Sequence, residues 1–430
     1  MVDLLITNAT LPNGLVANIA VAGEQIVSVG SETPAAKTTI DAKGLVALPG
    51  FVDLHTHLRE PGFEQSETIL TGSQSAAAGG FTAVHAMANT SPVQDTAGVV
   101  EQVQALGVSA GYVDVVPVGA VTVGLEGKQL AELAAMADSR ARVRVFSDDG
   151  KCVHDPVLMR RALEYVKAFN GVVAQHAQEP RLTEGAQMNE GKISAELGLA
   201  GWPAVAEESI IARDVLLAEH VGSRVHICHL STAGSVEIVR WAKNRGINVT
   251  AEVTPHHLLL TDELARSYNA VYKVNPPLRT QEDVLALRAA LVDGTIDIIA
   301  TDHAPHPIES KDCEWQAAAF GMLGLEIAAS VAQEVLVESG NSNWQRVAEV
   351  LSHNPAEIGL LTEQGQALDA GAVANITLID PTAKRTIDGS HSKSTNNPYR
   401  GLTLPGSVVH TIYRGYQTVA NGELAKSGRS

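Results

Sequence analysis

The chain of 430 residues contains few of the features that stabilise secreted domains or anchor a protein in a membrane. Its three cysteines, Cys152, Cys228 and Cys313, are far apart and in no CxxC spacing, so we expect neither a disulfide framework nor a thiolate metal site. No apolar run approaches the roughly 18 residues of a membrane-spanning helix, and the N-terminus lacks a basic segment of the kind that opens a signal peptide. These absences predict a cytoplasmic protein that is neither secreted nor membrane-spanning.

Basic residues are also scarce. The chain has 31 Lys and Arg against 48 Asp and Glu, a formal net charge of −17. This excess of acid argues against binding to nucleic acid or to an anionic membrane surface. With 45% hydrophobic residues the chain can bury a large core, and we expect its partners to be small molecules or other proteins.

Short apolar runs alternate with helical patterns through the middle of the chain, as expected for parallel strands covered by helices. Helices are predicted at residues 130–138, 155–169, 209–221, 235–246 and 282–294, with further helical stretches at 321–338 and 344–361. Eight strand-like runs within about 250 residues favour a (β/α)₈ barrel, an α/β fold, over an open sheet. The runs occupy residues 50–55, 81–87, 112–120, 142–149, 171–177, 224–231, 248–255 and 296–304.

Both ends of the chain have strand patterns instead. The first 48 residues alternate β-branched and polar residues, and similar patterns return in the C-terminal segment. Since neither end is long enough to bury a core alone, we expect the two to pair into one small β-sandwich beside the barrel. The predicted domains are therefore residues 1–48 plus 364–430 for the sandwich and 49–363 for the barrel.

Polar residues interrupt the apolar strands at one end only. In a barrel these carboxyl ends meet at one mouth, where catalytic residues of this architecture lie. Histidine and carboxylate side chains are ligands for divalent transition metals and suit zinc, and His-x-His places two rings on the same side of a strand. Histidine and carboxylate residues stand at the carboxyl ends of several strands. The sequence therefore predicts a metal site built from His55, His57, Asp148 or Asp149, His176, His229 and Asp302.

Several motifs have a more specific likeness. FVDLHTHLREPG, FSDDG, TAEVTPHHLLL, KVNPPLRT and IATDHAPH together resemble the class I dihydroorotases of the amidohydrolase superfamily, over nearly the whole chain. The resemblance implies one or two zinc ions per chain, with two favoured. His55, His57 and Asp302 would bind one ion, His176 and His229 the other, and Asp149 would contact both. Asp149 is preferred to Asp148 because it stands 27 residues before His176, as in the family.

The same resemblance implies an activity. It is the reversible cyclisation of N-carbamoyl-L-aspartate to L-dihydroorotate with loss of water, a step of pyrimidine (UMP) biosynthesis, with Asp302 as the catalytic proton carrier. Arg59, Asn89 and His306 would hold the carboxylate outside the ring, and Asn275, with the backbone near Phe320 and Gly321, would bind the amide edges of the ring. From the residues alone, Arg59 could instead form a surface salt bridge with Glu60 or Glu64.

Two other functions are compatible with the sequence. A hydantoinase or allantoinase would share the metal site, but many of these enzymes bridge their metals with a carboxylated lysine on the fourth strand, and RVRVFSDDG has no lysine before Lys151. A catalytically silent subunit that supports aspartate transcarbamoylase is the second alternative, although such chains usually lose metal histidines. A homodimer, and association with aspartate transcarbamoylase, are the protein partners that the resemblance suggests.

Overall fold

The structure, a computed structural model, describes residues 1–425. Its strands are β1 (Val2–Thr10), β2 (Val16–Ala22), β3 (Gln25–Gly30), β4 (Ala36–Asp41), β5 (Val46–Pro49), β6 (Phe51–Thr56), β7 (Phe81–Ala86), β8 (Asp114–Pro117), β9 (Val145–Phe146), β10 (Val172–Gln175), β11 (Met188–Asn189), β12 (Gly201–Trp202), β13 (Val225–Ile227), β14 (Val249–Val253), β15 (Ile298–Ile299), β16 (Ile376–Thr386), β17 (Thr403–Tyr413), β18 (Tyr416–Ala420) and β19 (Glu423–Leu424). Its α-helices are α1 (Ile69–Ala78), α2 (Ala97–Ala110), α3 (Leu133–Asp138), α4 (Pro156–Lys167), α5 (Lys192–Leu197), α6 (Val205–Val221), α7 (Ala233–Asn244), α8 (Pro255–Leu259), α9 (Gln281–Asp293), α10 (Ala328–Ala332), α11 (Trp344–Ala348) and α12 (Asn354–Gly359).

The eight predicted runs form a closed parallel barrel. Strands β6, β7 and β8 pair in parallel, as do β9, β10, β13, β14 and β15. Two parallel bridges, between Gly119 and Phe146 and between Thr56 and His303, join these two groups at both edges. The barrel prediction is therefore confirmed, with the strands in sequence order around the circle.

The barrel strands and their helices follow directly from local sequence. Every residue of β6 and β7 is buried, because the barrel interior covers one face and helices cover the other. Helix α4 begins after Asp155, whose carboxylate accepts hydrogen bonds from the backbone of Val157 and Leu158 at 2.8 and 2.9 Å, and Pro156 suits the first turn. The predicted helix at 321–338 begins only at Ala328, because Met322 pairs with His303 at the barrel mouth instead.

The two chain ends share one nine-stranded sheet, ordered β19-β18-β17-β16-β5-β1-β2-β3, with β4 beside β1. Antiparallel pairing of β5 with β16 joins the ends. One edge of β1 pairs first with β4 and then, at Thr10, with β5, so the sheet divides there around a core. That core combines Ile6 and Ile19 with Ile376 and Leu378, as expected for a composite sandwich. The exact boundaries at residues 48 and 364 stay a prediction.

The described part of the chain, residues 1–425, contains no helix of sufficient length and apolar character to cross a membrane. The largest hydrophobic cluster lies between the barrel strands and their surrounding helices. The carboxyl ends of the strands lie at one end of this core, where the polar residues selected from the sequence come together.

Candidate active site

The six predicted donors lie at the carboxyl ends of five barrel strands. His55 and His57 come at the end of β6, His176 directly follows β10, His229 follows β13, Asp149 follows β9, and Asp302 follows β15. All six are buried, and the exposed fraction of each residue is 5% or less. The barrel thus brings together residues up to 247 positions apart in the sequence.

Asp149 is at the centre of the cluster. Its Oδ1 lies 3.3 Å from His55 Nε2, 3.1 Å from His176 Nδ1 and 3.4 Å from His229 Nε2, and its Oδ2 lies 3.2 Å from His57 Nε2. Two groups of three donors, each with its ligand atoms within 4.8 Å of one another, share this residue: His55, His57 and Asp149, and Asp149, His176 and His229. One carboxylate therefore connects two sets of imidazole rings.

Asp302 approaches the first of these sets. Its Oδ1 lies 3.0 Å from His57 Nε2 and 3.4 Å from His55 Nε2. The backbone of Asp302 has a positive φ of 46°, and that of His229 has a φ of 33°, in a region that residues other than glycine seldom occupy. Such conformations concentrate where the surrounding structure holds functional side chains in place.

The carboxylates of the neighbouring residues Asp148 and Asp149 point in different directions. Asp148 turns away from the cluster: its Oδ1 accepts hydrogen bonds from the backbone of Val121 and Thr122 at 2.8 and 2.9 Å, and its Oδ2 accepts one from the Thr122 hydroxyl. It therefore fixes the loop after β8. Of the two carboxylates, it is Asp149 that the structure brings to the histidines.

Three of the four rings are oriented by an acceptor outside the cluster. His57 Nδ1 lies 3.0 Å from Asn89 Oδ1, His176 Nε2 lies 2.8 Å from Gln178 Oε1, and His55 Nδ1 lies 2.6 Å from Glu252 Oε1. Since these oxygens can only accept, the outer ring nitrogen carries the proton and the other nitrogen faces the cluster with its lone pair. This arrangement is typical of metal-binding histidines.

Glu252 and Gln178 are site residues that the sequence analysis missed. Glu252 lies on β14, is fully buried, and contacts His55, His226 and the backbone of His229. The available signal was an acid inside the buried strand TAEV, because a charge in that position requires partners. For Gln178 the signal was weaker, since a glutamine three residues after a strand has no necessary role.

The cluster carries an excess of buried negative charge. Burial would raise the pKa of Asp149, but His55, His176 and His229 hold it well below its usual range. Burial likewise opposes protonation of His55, yet Asp149, Glu252 and Asp302 raise its pKa well above the ordinary value. A site that attracts protons so strongly also attracts metal cations.

The donor set fits a divalent metal ion. His55 Nε2 is buried and, although 3.3 Å from Asp149 Oδ1, has no hydrogen-bond partner among the described residues. A buried polar nitrogen without a hydrogen-bond partner is costly, and an ion among these donors would remove that cost. Imidazole nitrogen and carboxylate oxygen are ligands of zinc and of other first-row transition metals.

Arg59 lies beside the cluster, on the loop after β6. Its Nε donates to Pro305 O at 3.1 Å and its Nη2 lies 3.4 Å from His306 Nε2. Burial lowers its pKa to about 10, so it remains charged at neutral pH. The salt bridge considered for it is not formed within residues 1–425, because Glu60 and Glu64 instead accept hydrogen bonds from backbone amides.

The segments around His306, Phe320 and Gly321 meet at the mouth. His306 Nε2 donates to Phe320 O at 2.8 Å, and burial followed by the charge of Arg59 lowers the His306 pKa to about 3. Gly321 has a φ of 139°, and a Cβ added to it would lie 2.8 Å from both Ala304 Cβ and His306 Nε2. Only glycine therefore fits at this position.

Asn275 lies at the mouth, two residues after Lys273, whose carbonyl oxygen accepts a hydrogen bond from the Gly321 amide at 3.0 Å. Its Nδ2 donates to Gln178 Oε1 at 3.2 Å, which connects it to the His176 ring. Its Oδ1 is buried and has no hydrogen-bond partner among the described residues. An acceptor of this kind is suited to a ligand N–H group.

Comparison of the sequence with known proteins shows the family of the chain. A family model described as dihydro-orotase-like matches residues 44–235. The dihydroorotase of Leifsonia xyli subsp. xyli is 67% identical over 426 residues, which are 98% of this chain and 97% of that protein. The chain belongs to the dihydroorotase family. Dihydroorotases of Streptomyces coelicolor and Mycobacterium tuberculosis are 66% and 54% identical, covering 99% and 93% of this chain and 100% and 94% of theirs.

Solved structures extend the likeness to the amidohydrolase fold. The L-hydantoinase (dihydropyrimidinase) from Arthrobacter aurescens superposes with a TM-score of 0.87 at 26% identity, covering 99% of this chain and 98% of that one. A dihydropyrimidinase from Brevibacillus agri gives a TM-score of 0.84 at 23% identity, over 99% of this chain and 96% of that one, and shows the fold alone. The chain therefore belongs to the dihydroorotase family and has a barrel-and-sandwich fold that it shares with hydantoinases.

Proposed function

We propose that the chain catalyses the reversible ring closure of N-carbamoyl-L-aspartate to L-dihydroorotate, with release of water, in pyrimidine biosynthesis. The observation that supports this most directly is the convergence of four imidazoles on the Asp149 carboxylate, with Asp302 beside His55 and His57, in a member of the dihydroorotase family. The enzyme is a cyclic amide hydrolase in the direction of ring opening.

We assign the donors to zinc, with one or two ions per chain and two favoured. His55, His57 and Asp302 would hold the first ion, His176 and His229 the second, and Asp149 would contact both. The sharing of Asp149 by two donor groups supports this arrangement. When bound, the metal supplies Lewis acidity, which lowers the pKa of a water molecule to about 7 and polarises the amide carbonyl.

Asp302 would carry the proton. In ring opening, its carboxylate accepts a proton from the attacking water and passes it to the ring nitrogen as the amide bond breaks. In ring closure it removes a proton from the carbamoyl nitrogen as that nitrogen attacks the side-chain carboxyl group, and it returns the proton to the departing oxygen, which leaves as water. Burial would raise the pKa of Asp302, but His55 and His57 hold it below the ordinary value, so the group is available as a base.

Arg59, Asn89 and His306 would hold the carboxylate that remains outside the ring. The guanidinium of Arg59 is charged and beside the cluster, and its planar fork suits a carboxylate. Asn89 uses Oδ1 to orient His57, and its Nδ2, which donates one hydrogen bond to Asp149 O at 3.5 Å, has a second N–H for the substrate.

Asn275 and the backbone around Phe320 and Gly321 would bind the amide edges of the ring. The buried and unpartnered Oδ1 of Asn275 supports this role, because a ring N–H would satisfy it. Because an ester has no N–H to donate, a hydrogen bond from a ring N–H to Asn275 Oδ1 would also favour a cyclic diamide over a simple ester.

The decisive experiment is an assay of the purified protein with L-dihydroorotate, before and after removal of metal, together with Asp302→Asn. We expect chelation to abolish turnover and Asp302→Asn to lower kcat by at least about 100-fold, as for loss of a general base. Asp138→Asn, an exposed position at the end of α3, is the matched control and should keep wild-type activity. Full turnover by Asp302→Asn would show that another group carries the proton.

A hydantoinase-type cyclic amidohydrolase is the second candidate, favoured by the likeness to L-hydantoinase. Lys151 follows β9 at an exposed position, and Asp149 takes the central place, which supports the dihydroorotase assignment instead. Parallel assays with hydantoin and dihydrouracil separate the two, because neither compound carries the outer carboxylate that Arg59 would bind.

We also propose a cytoplasmic location, which the three free thiols favour, and a homodimer. Association with aspartate transcarbamoylase is a further proposal. A silent role in such a complex is not favoured, because all six donors are retained at the mouth. Light scattering of the protein, alone and mixed with that enzyme, tests both assemblies.

A further inference from the structure

A segment of the terminal sheet lies against the barrel mouth. Residues 387–402 connect β16 to β17, both of which belong to the nine-stranded sheet. Within this connection, residues 390–397, here named the terminal strap, run beside the loops after β6 and β15. The strap therefore brings residues from outside the barrel to the candidate active site.

The strap is attached to the loop that carries Arg59. The Ser392 hydroxyl donates to Glu67 Oε2, and the backbone amide of Lys393 donates to Glu67 Oε1 at 3.0 Å. The Ser394 hydroxyl donates to Ser66 O at 2.6 Å. Glu67 is fully buried, so these contacts hold the strap where solvent does not compete for them.

Asn396 attaches the strap to the backbone at His306 and at Gly321. His306 belongs to the proposed set that would hold the outer carboxylate, Arg59, Asn89 and His306, here named the carboxylate grip. Its Oδ1 accepts from the backbone amide of His306 at 3.1 Å, and its Nδ2 donates to Ala304 O at 2.9 Å and to Gly321 O at 3.2 Å. The residue is 4% exposed. One side chain thus ties together two stretches of backbone that carry proposed substrate contacts.

We propose that Asn396 is a positioning residue for the substrate, acting through His306 on the outer carboxylate and through Gly321 on the amide edge of the ring. The inference rests on the proposed function. Within residues 1–425, Asn396 forms no hydrogen bond with the proposed metal donors, and its three side-chain hydrogen bonds go to main-chain groups of the mouth. Its loss should therefore displace the carboxylate grip and leave the metal cluster in place.

The separation of the substrate contacts from the metal donors leads to a specific kinetic expectation. Displacement of a binding group by about 1 Å can cost up to about 100-fold in rate at subsaturating substrate. Because the groups displaced, His306 at the outer carboxylate and the Gly321 backbone at the amide edge, would bind the substrate and do not carry the proton, the loss should be found in KM. We expect Asn396→Ala to raise KM for L-dihydroorotate by about tenfold or more, with kcat within about threefold of wild type.

The experiment compares wild type with Asn396→Ala, Asn396→Asp and Asn397→Ala. Asn396→Asp keeps the shape of the side chain but turns a carboxylate oxygen toward two carbonyl oxygens, and it serves if the alanine variant folds poorly. Asn397→Ala is the matched control, because the Asn397 Oδ1 accepts only from the backbone amide of Tyr399, at 2.9 Å, within the same turn. Steady-state kinetics, metal content and melting temperature are measured for all four proteins.

A raised KM in both Asn396 variants, with unchanged metal content and a wild-type KM in Asn397→Ala, supports the positioning role. Unchanged KM in both Asn396 variants overturns it while the proposed function stands. A fall in kcat or in metal content with an unchanged KM also overturns it, since that result indicates a purely structural residue. Failure of the wild-type protein to turn over dihydroorotate refutes the proposed function, and this inference with it.

Discussion

Removing the negative charge of Glu252 should weaken metal binding without unfolding the protein. Its Oε1 lies 2.6 Å from His55 Nδ1 and 3.2 Å from the backbone amide of His229, and its Oε2 lies 2.9 Å from His226 Nε2. Burial would raise its pKa, but His55 and His226 hold it well below the usual range. The side chain is therefore an anion that orients two of the proposed metal ligands.

Glu252→Gln isolates the effect of that charge. The amide oxygen can accept the hydrogen bonds from His55 and His229, so their geometry is retained. The new NH₂ group would face His226 Nε2, and that ring can accept there if its proton moves to Nδ1, which lies 2.8 Å from the hydroxyl oxygen of Thr250. Because each hydrogen bond has a replacement, we expect the metal-free variant to remain folded.

The magnitude follows from the role of the carboxylate behind a ligand. Loss of such a partner typically costs 10- to 100-fold in metal affinity, about 1.4–2.7 kcal/mol. The assay is competition for zinc with a chromogenic chelator. Glu237→Gln is the control, because the Glu237 side chain is 72% exposed and pairs only with Arg240. Wild-type zinc affinity in Glu252→Gln would refute the reasoning.

Three further outcomes are expected. Arg59→Ala should raise KM for dihydroorotate at neutral and mildly alkaline pH alike, since the arginine stays charged up to a pKa of about 10; unchanged saturation kinetics would remove it from the carboxylate grip. Gly321→Ala should also raise KM, because its Cβ would lie 2.8 Å from Ala304 Cβ and His306 Nε2, and wild-type kinetics would contradict this. Burial raises the pKa of Asp214 from 3.8 to about 6, and a carboxyl whose pKa is higher in the folded state stabilises the fold only while protonated. Relative to Asp214→Asn, wild type should therefore lose about 2 kcal/mol of unfolding free energy as the pH rises from about 4 to about 6; denaturant melts of both proteins at the two pH values test this, and a constant difference would refute it.

The barrel could be predicted because its signal is local. Each strand is a short apolar run, five of the eight have a histidine or aspartate donor at or just after the carboxyl end, and the parallel order of such strands leaves one place for these ends to meet. Even β9 and β15, which are two residues long, are found in this way. The start of α10 could not be predicted, since residues 321–327 have helical composition and only the pairing of Met322 with His303 holds them at the mouth.

The residues that orient the site were harder to find. His55 and Glu252 are 197 positions apart, and His306 and Asn396 are 90 apart. A single sequence contains no signal that pairs them, because the strap resembles an ordinary Ser- and Asn-rich connection. Donors at strand ends are marked by their position, whereas their hydrogen-bond partners become apparent only after the chain has folded.

The mouth is built in two parts with different mechanical support. The proposed metal donors lie at the ends of parallel strands, which the closed barrel holds in one arrangement. The proposed substrate contacts lie on connections: Arg59 on the loop after β6, and His306 and Gly321 on the segment that Asn396 ties to the terminal sheet. Substitutions in these connections can therefore alter substrate choice while the donors stay in place. Such a division is compatible with a shared fold at a TM-score of 0.87 with an L-hydantoinase that is 26% identical, and it predicts that a difference in specificity between the two lies in the loops and the strap.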